Sequence, residues 1–132
     1  MGITKIHKAI KLTNRIVNSI TYLCDVRLRS TYFTKEGKMG FVNLISFILS
    51  HNKKSLQIEL DNFFKALPDE DCSITKQAFS IARQKVSPRA FIILFQAVIR
   101  QFYEDDFKTY RGFRLSAIDG TTLELQNTED LR

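Results

Sequence analysis

A mainly α-helical fold, five helices followed by a short β-hairpin, is what this sequence predicts, and three observations predict it. Only two prolines and five glycines interrupt 132 residues, so long helices are allowed over most of the chain. Before Gly112, apolar residues recur at steps of three and four, the period of one buried helix face. After it the period changes to two: Leu115 and Ala117 precede Asp119-Gly120, and Leu123 and Leu125 follow. That alternation around an Asp-Gly pair is a hairpin signal.

Taken in order, Ile3, Ile6, Ile10, Thr13, Val17, Ile20 and Cys24 line one face of a helix expected from about residue 3 to 28. Lys5, Lys8, Lys11 and Arg15 gather opposite. The polar stretch Arg29 to Lys38, with Gly37, reads as a connection. A second helix, Gly40 to about Ser50, is expected to bury Phe41, Leu44, Ile45, Ile48 and Leu49. A third opens with Ser55 as cap and buries Leu56, Leu60, Phe63, Phe64 and Leu67. Pro68 and the acidic turn Asp69-Glu70-Asp71 end it. A fourth begins near Ser73 or Thr75 and runs to Val86, with Ile74, Ala78, Ile81, Ala82 and Val86 inward.

Ser87-Pro88 restarts the chain, serine as N-cap and proline at the first helical position. The fifth helix is expected to bury Phe91, Phe95, Val98, Ile99 and Phe102. It closes on Glu104-Asp105-Asp106, acids at the end where the macrodipole prefers cations, a placement that suits a neighbour outside the helix. Gly112 marks the break, so the expected organisation is a helical unit over 1–111 and a strand-forming unit over 112–132.

The net charge is +6. Residues 1–38 carry +6, residues 39–90 carry +2 and residues 91–132 carry −2, so the basic excess sits in the first third. Such an arm suits a polyanion, most simply DNA or RNA, and equally suits a solvated lysine-rich face. Cys24 and Cys72 lack companions at ligand spacing, as do His7 and His51, which argues against a zinc site or a disulfide framework and for a reducing cytoplasm. Lysines interrupt the N-terminus where a signal peptide needs an apolar core. The longest uncharged run, Met39 to Asn52, is too short to span a bilayer. No membrane partner is expected.

The third and fourth helices, joined by a tight acidic turn, have the outline of a helix-turn-helix. On the fourth, Lys76, Gln77, Ser80, Arg83 and Gln84 project within roughly a third of the circumference. These long donors and amides can bond base edges and phosphates in a major groove. Lys53 and Lys54 would hold the phosphate backbone at the start of the third helix. The alternative is an ordinary solvated helix face. Asp119 has two readings as well: a simple turn residue, or one carboxylate at the mouth of a sheet. With two further acids it would hold two Mg²⁺ ions for phosphoryl transfer. Only seven residues follow Leu125, so the chain reads as the front of a larger nucleic-acid enzyme, cut after its first catalytic-type aspartate.

Lys53-Lys54-Ser55-Leu56-Gln57, then Glu59-Leu60 and Phe63-Phe64, resembles the N-terminal region of bacterial insertion-sequence transposases of family four. Ile74-Thr75-Lys76-Gln77-Ala78-Phe79-Ser80 with Ala82-Arg83 is similar to the same family. So are Tyr103-Glu104-Asp105-Asp106, Lys108-Thr109-Tyr110, Gly112, Arg114-Leu115 and Ala117. Ile118 to Leu125, then Asn127-Thr128-Glu129, is similar to the opening of that family's catalytic domain. The resemblance runs from Lys38 onward, carried by several motifs in order.

It implies a helical DNA-binding region over 1–111 and the start of a truncated RNase H-like domain over 112–132. It also implies an Asp-Asp-Glu triad holding Mg²⁺, with double-stranded DNA at element terminal repeats as partner. Carried over residue by residue, only Asp119 matches, as the first triad aspartate, both catalytic and metal-ligating. Gln126 stands where the family usually has proline, and the second aspartate and the glutamate have no counterpart. Glu124, Glu129 and Asp130 do not match the pattern. The resemblance further implies a bacterial, nucleoid-associated setting in the cytoplasm and is compatible with a homodimer of the complete enzyme. The competing readings are a stand-alone DNA-binding module that regulates or inhibits transposition, and a decayed reading frame.

Overall fold

The computed structural model describes residues 2–35, 37–50, 54–68, 73–104, 107–117 and 120. Among them the chain is mainly helical, with six helices and no named strand: α1 (Gly2–Val17), α2 (Ile20–Val26), α3 (Phe41–Ser50), α4 (Leu56–Lys65), α5 (Lys76–Arg83) and α6 (Arg89–Glu104). The core runs from Val17 to Leu94 and draws on every helix.

The expected single helix over 3–28 is two helices. Asn18 donates its side-chain Nδ2 to the Asn14 carbonyl at 2.8 Å, and Ser19 takes an extended conformation (φ −80°, ψ 131°). Short polar side chains offer the backbone such local bonds in competition with the helical ladder. The break resets the phase, so α2 buries Tyr22 and Val26. Of the seven residues expected inward, only Val17 reaches the core. Ile20 is exposed, Cys24 is exposed, and Ile3, Ile6 and Ile10 lie 86, 62 and 54% open.

Arg27 leaves α2 in extended form and pairs antiparallel with Val86. Leu28 N–H donates to the Lys85 carbonyl at 2.9 Å, and Ser87 N–H donates to the Val26 carbonyl at 2.8 Å. This two-rung stitch ties the end of α2 to the connection between α5 and α6. Beside it, the buried Tyr22 hydroxyl donates to the Ala90 carbonyl at 2.9 Å.

α3 is apolar on nearly all sides, so periodicity alone misplaces its inner face. Phe41, Leu44 and Ile45 are buried as expected, but Phe47 is the fourth buried residue. Ile48 is half-buried and Leu49 is exposed. Phe47 packs edge-on against Phe63 and Phe79, with centroids 5.5 and 5.0 Å apart, a favoured aromatic geometry. α4 follows expectation in its stripe, with Leu60 and Phe64 buried and Leu56, Phe63 and Leu67 packed against the core, but Ser55 stands at the N-cap position without a side-chain cap bond.

α6 departs most from its expected face. It buries Ala90 and Leu94, while Phe95, Ile99 and Phe102 stand exposed. Apolar residues cover most of its circumference, and the small Ala90 is the side on which Tyr22 of α2 can approach closely enough to bond the backbone. The restart itself is as read, with Arg89 N–H donating to the Ser87 hydroxyl at 3.3 Å.

Past α6, Tyr110 and Phe113 exchange both backbone bonds, at 3.0 and 2.9 Å, around Arg111 (φ 52°) and Gly112 (φ 80°). Positive φ at both central residues makes this a mirror-image turn of the hairpin kind, which Gly112 accepts without strain. The hairpin expected around Asp119-Gly120 falls largely outside the described residues; Arg114 to Ala117, which are described, form no strand.

Candidate nucleic-acid interface

α5 is set by two side chains. Thr75, at its N-cap, accepts the Ala78 N–H at 3.2 Å, satisfying one of the orphan donors of the first turn. Gln57, from α4, supplies the second support. Its Oε1 accepts the Lys76 N–H at 3.1 Å, while its Nε2 donates to the Ile74 carbonyl and to Asp61 Oδ1, both at 3.0 Å. One amide thus fastens the start of α5 to α4 across 17 and 19 residues of sequence. Gln57 has no signal in the periodicity, because a half-buried amide can face any partner.

The connection between α4 and α5 runs over residues 66–75, of which 69–72 lie outside the described residues. The two helices are held by this amide and by shared packing of Phe63, Phe64 and Phe79 on the core.

The inner face of α5 is Phe79 and Ala82, flanked by buried Ile74 and Val86. Ala78 and Ile81, expected inward, are exposed, Ile81 at 59%. Phe79 takes the place on the core instead, its ring edge-on to Phe47 of α3 at 5.0 Å. Lys76, Gln77, Arg83 and Gln84 are exposed and Ser80 is half-buried, so the expected donor arc stands at the surface with Ile81 beside it. An exposed aliphatic side chain among amides and cations is the type that meets a thymine methyl in a major groove.

Arg83 also borders a cleft of ≈ 310 Å³ lined by Phe47, Ile48, Leu56 and Phe79. Lys54 is exposed just before Ser55, the N-cap residue of α4. Lys53 lies outside the described residues.

A second cationic cluster sits between α1 and α6. Lys8, Lys11 and Arg15 line a cleft of ≈ 260 Å³ together with Leu12 and Gln101. α1 contains no acid. Gln101 Oε1 is buried there without a hydrogen-bond partner among the described residues. Buried amide oxygens are normally satisfied, so this one is an acceptor facing a basic cleft. The sequence located these cations on one helix face; that α6 forms the other wall was not legible from it.

Asp119, the expected catalytic and metal-binding residue, lies outside the described residues. Among the described residues there is no group of three or more His, Cys, Asp or Glu side chains that could hold a metal ion. No helix among them is long and apolar enough to cross a membrane. Comparison with protein-family models, with curated proteins and with solved structures finds no match to this chain.

Proposed function

We propose that this chain binds duplex DNA through α5, as the N-terminal DNA-binding part of an insertion-sequence transposase. The observation that carries the reading is the exposed arc of Lys76, Gln77, Arg83 and Gln84 on a helix whose first turn is fastened by Thr75 and Gln57. In this reading α4 and α5 act as a helix-turn-helix-like pair, Lys53 and Lys54 hold the backbone at the start of α4, and Ser80 and Ile81 complete the contact surface. Lys8, Lys11 and Arg15 add a second phosphate-binding strip, because each neutralised phosphate releases counterions.

The binding test is fluorescence anisotropy with duplex DNA over a salt series. Arg83→Glu and Lys76→Glu should each weaken binding and lower the slope of log affinity against log salt by about 1. Unchanged affinity and slope in both variants would remove α5 from the interface.

The resemblance to family four also implies cleavage and strand transfer by the complete enzyme, with Asp119 as one Mg²⁺ ligand and a hairpin at 112–132 opening the RNase H-like domain. One matched carboxylate cannot hold two metal ions in productive geometry. The 132-residue chain by itself is therefore expected neither to nick nor to join DNA. Metal-dependent nicking of duplex substrates by the purified chain would refute this. Action on element terminal repeats in a bacterial nucleoid follows from the same reading.

A second reading has its own support. Among the described residues the buried core ends at Leu94 and residues 108–117 are all exposed, so the segment after α6 adds no residue to the core and meets the helical unit only at its end, where Arg114 stacks on Tyr103. That favours a stand-alone DNA-binding module, one that would regulate transposition by occupying element ends. Limited proteolysis leaving a folded core that ends near Gly112 and keeps full DNA affinity is the result that favours it.

A further inference from the structure

We propose that the cleft at the junction of α3, α4 and α5 is a binding site for a small aromatic carboxylate, and that its occupant competes with DNA for Arg83. Each helix supplies a wall: Phe47 and Ile48 from α3, Leu56 from α4, and Phe79 and Arg83 from α5, around ≈ 310 Å³. Four of these side chains are hydrocarbon, and the fifth carries the only charge in the lining. Phe47 and Phe79 already meet edge-on, with centroids 5.0 Å apart, so a third ring can join them in the same favoured geometry. Arg83 is exposed, and its guanidinium makes no hydrogen bond or ion pair among the described residues.

Size and charge together select the ligand. A dry cavity of about 150 Å³ takes a benzene molecule, so this cleft holds one ring with a short arm, at the lower end of the range for ligand pockets. A phosphate group would set most of its oxygens against hydrocarbon, and buried charged oxygens without partners are costly. A carboxylate has two oxygens, and one guanidinium satisfies both in a bidentate pair. The cleft between α1 and α6 is the opposite case, three cations with a single aliphatic wall, and suits phosphate.

Position gives the site its consequence. Projected around α5, Arg83 falls about 40° from Phe79 and about 20° from Lys76. It stands at the boundary between the buried face and the donor arc. Its side chain therefore serves a ligand in the cleft or a contact on DNA, but not both, because a bidentate carboxylate fills the guanidinium fork. This competition rests on the reading of α5 as the DNA-binding helix, whereas the ligand site stands without it.

The test is proton–nitrogen correlation NMR of the full chain, free of DNA, titrated with phenylpropanoate at an ionic strength held constant with acetate. Saturable shifts are expected at Ile48, Leu56, Phe79 and Arg83, with a dissociation constant of about 1 mM, the strength a ligand of this size reaches at ordinary efficiency. Phenylpropanol, equal in length and uncharged, should bind about tenfold more weakly, and so should phenylpropanoate to Arg83→Gln. Arg100→Gln, which removes an equal charge from the exposed side of α6, should leave the affinity as it was. The site is overturned by an absence of saturable shifts up to about 20 mM, by equal affinity for the alcohol, or by shifts confined to the cleft between α1 and α6. Anisotropy with duplex DNA then reads the competition. Saturating phenylpropanoate should lower DNA affinity as far as Arg83→Gln does, and should have no effect on that variant. If Arg83→Gln lowers DNA affinity and the saturated parent chain keeps it, the competition is overturned. If Arg83→Gln itself leaves DNA affinity unchanged, the assignment of Arg83 to the DNA interface fails, and the competition with it, while the ligand site is decided by the shifts.

Discussion

Replacing Gln57 by alanine removes a clamp without touching the surface offered to DNA. Three hydrogen bonds disappear: from Lys76 N–H at 3.1 Å, to the Ile74 carbonyl at 3.0 Å and to Asp61 at 3.0 Å. They do not weigh equally. Lys76 is exposed, so water replaces the amide oxygen there, and Asp61 is half-buried and keeps solvent access. Ile74 is only 4% exposed, so its carbonyl stands to lose most. Taking about 1 kcal/mol per lost bond, less where water substitutes and more where it does not, the loss is about 2 kcal/mol. At roughly 4 °C per kcal/mol for a domain of this size, Tm should fall by about 8 °C. The assay is thermal and urea unfolding followed by circular dichroism, with amide hydrogen exchange over residues 76–79. Exchange in that turn should accelerate more than in α6, and DNA affinity should fall although Gln57 makes no contact with DNA in the proposed mode. A Tm within 1 °C of the parent, with unchanged exchange at the start of α5, would refute the clamp.

Other outcomes follow from the core. Phe47→Ala empties the site shared with Phe63 and Phe79, and for a buried aromatic the expected loss is about 3–5 kcal/mol; a urea midpoint lowered by less than that of Gln57→Ala would contradict the packing. Burial pushes the Tyr22 hydroxyl up from 10.0 to about 12, so one of four tyrosines should ionise late in an absorbance titration at 295 nm. Tyr22→Phe should remove that phase. The sign follows from linkage: between pH 10 and 12 the unfolded chain loses this proton first, so the stability it lends below pH 10 is lost as pH climbs through that window. A titration without a late phase, or with a late phase that persists in Tyr22→Phe, would rule this out.

The features legible in advance were local ones. The start of α5 near Thr75, the Ser87-Pro88 restart and the Leu60–Phe64 stripe each depend on residues within one turn of each other. Asn18-Ser19 also carried a local signal, but the regular apolar spacing across it pointed to continuity and the side-chain bonds won. On α3 and α6, apolar residues occupy several faces, and spacing does not rank them. Phe47 is buried because Phe63 and Phe79 converge on it, and Ala90 because Tyr22 must reach its carbonyl. The candidate interface divides in the same way. Its cations and amides could be placed on α5 from spacing, whereas the outward turn of Ile81 depends on Phe79 meeting α3.

Sequence alone thus determined the helical character of the chain, the restart at Ser87-Pro88 that opens α6, and the concentration of positive charge in α1, since propensity, capping and composition act within a few residues. Tertiary structure decided which apolar faces became core, where Gln57 anchors α5, and that Phe95 and Ile99 stay at the surface. Those outcomes depend on contacts between residues far apart in the chain. When a helix has more apolar faces than neighbours, the shape of those neighbours selects the one that is buried.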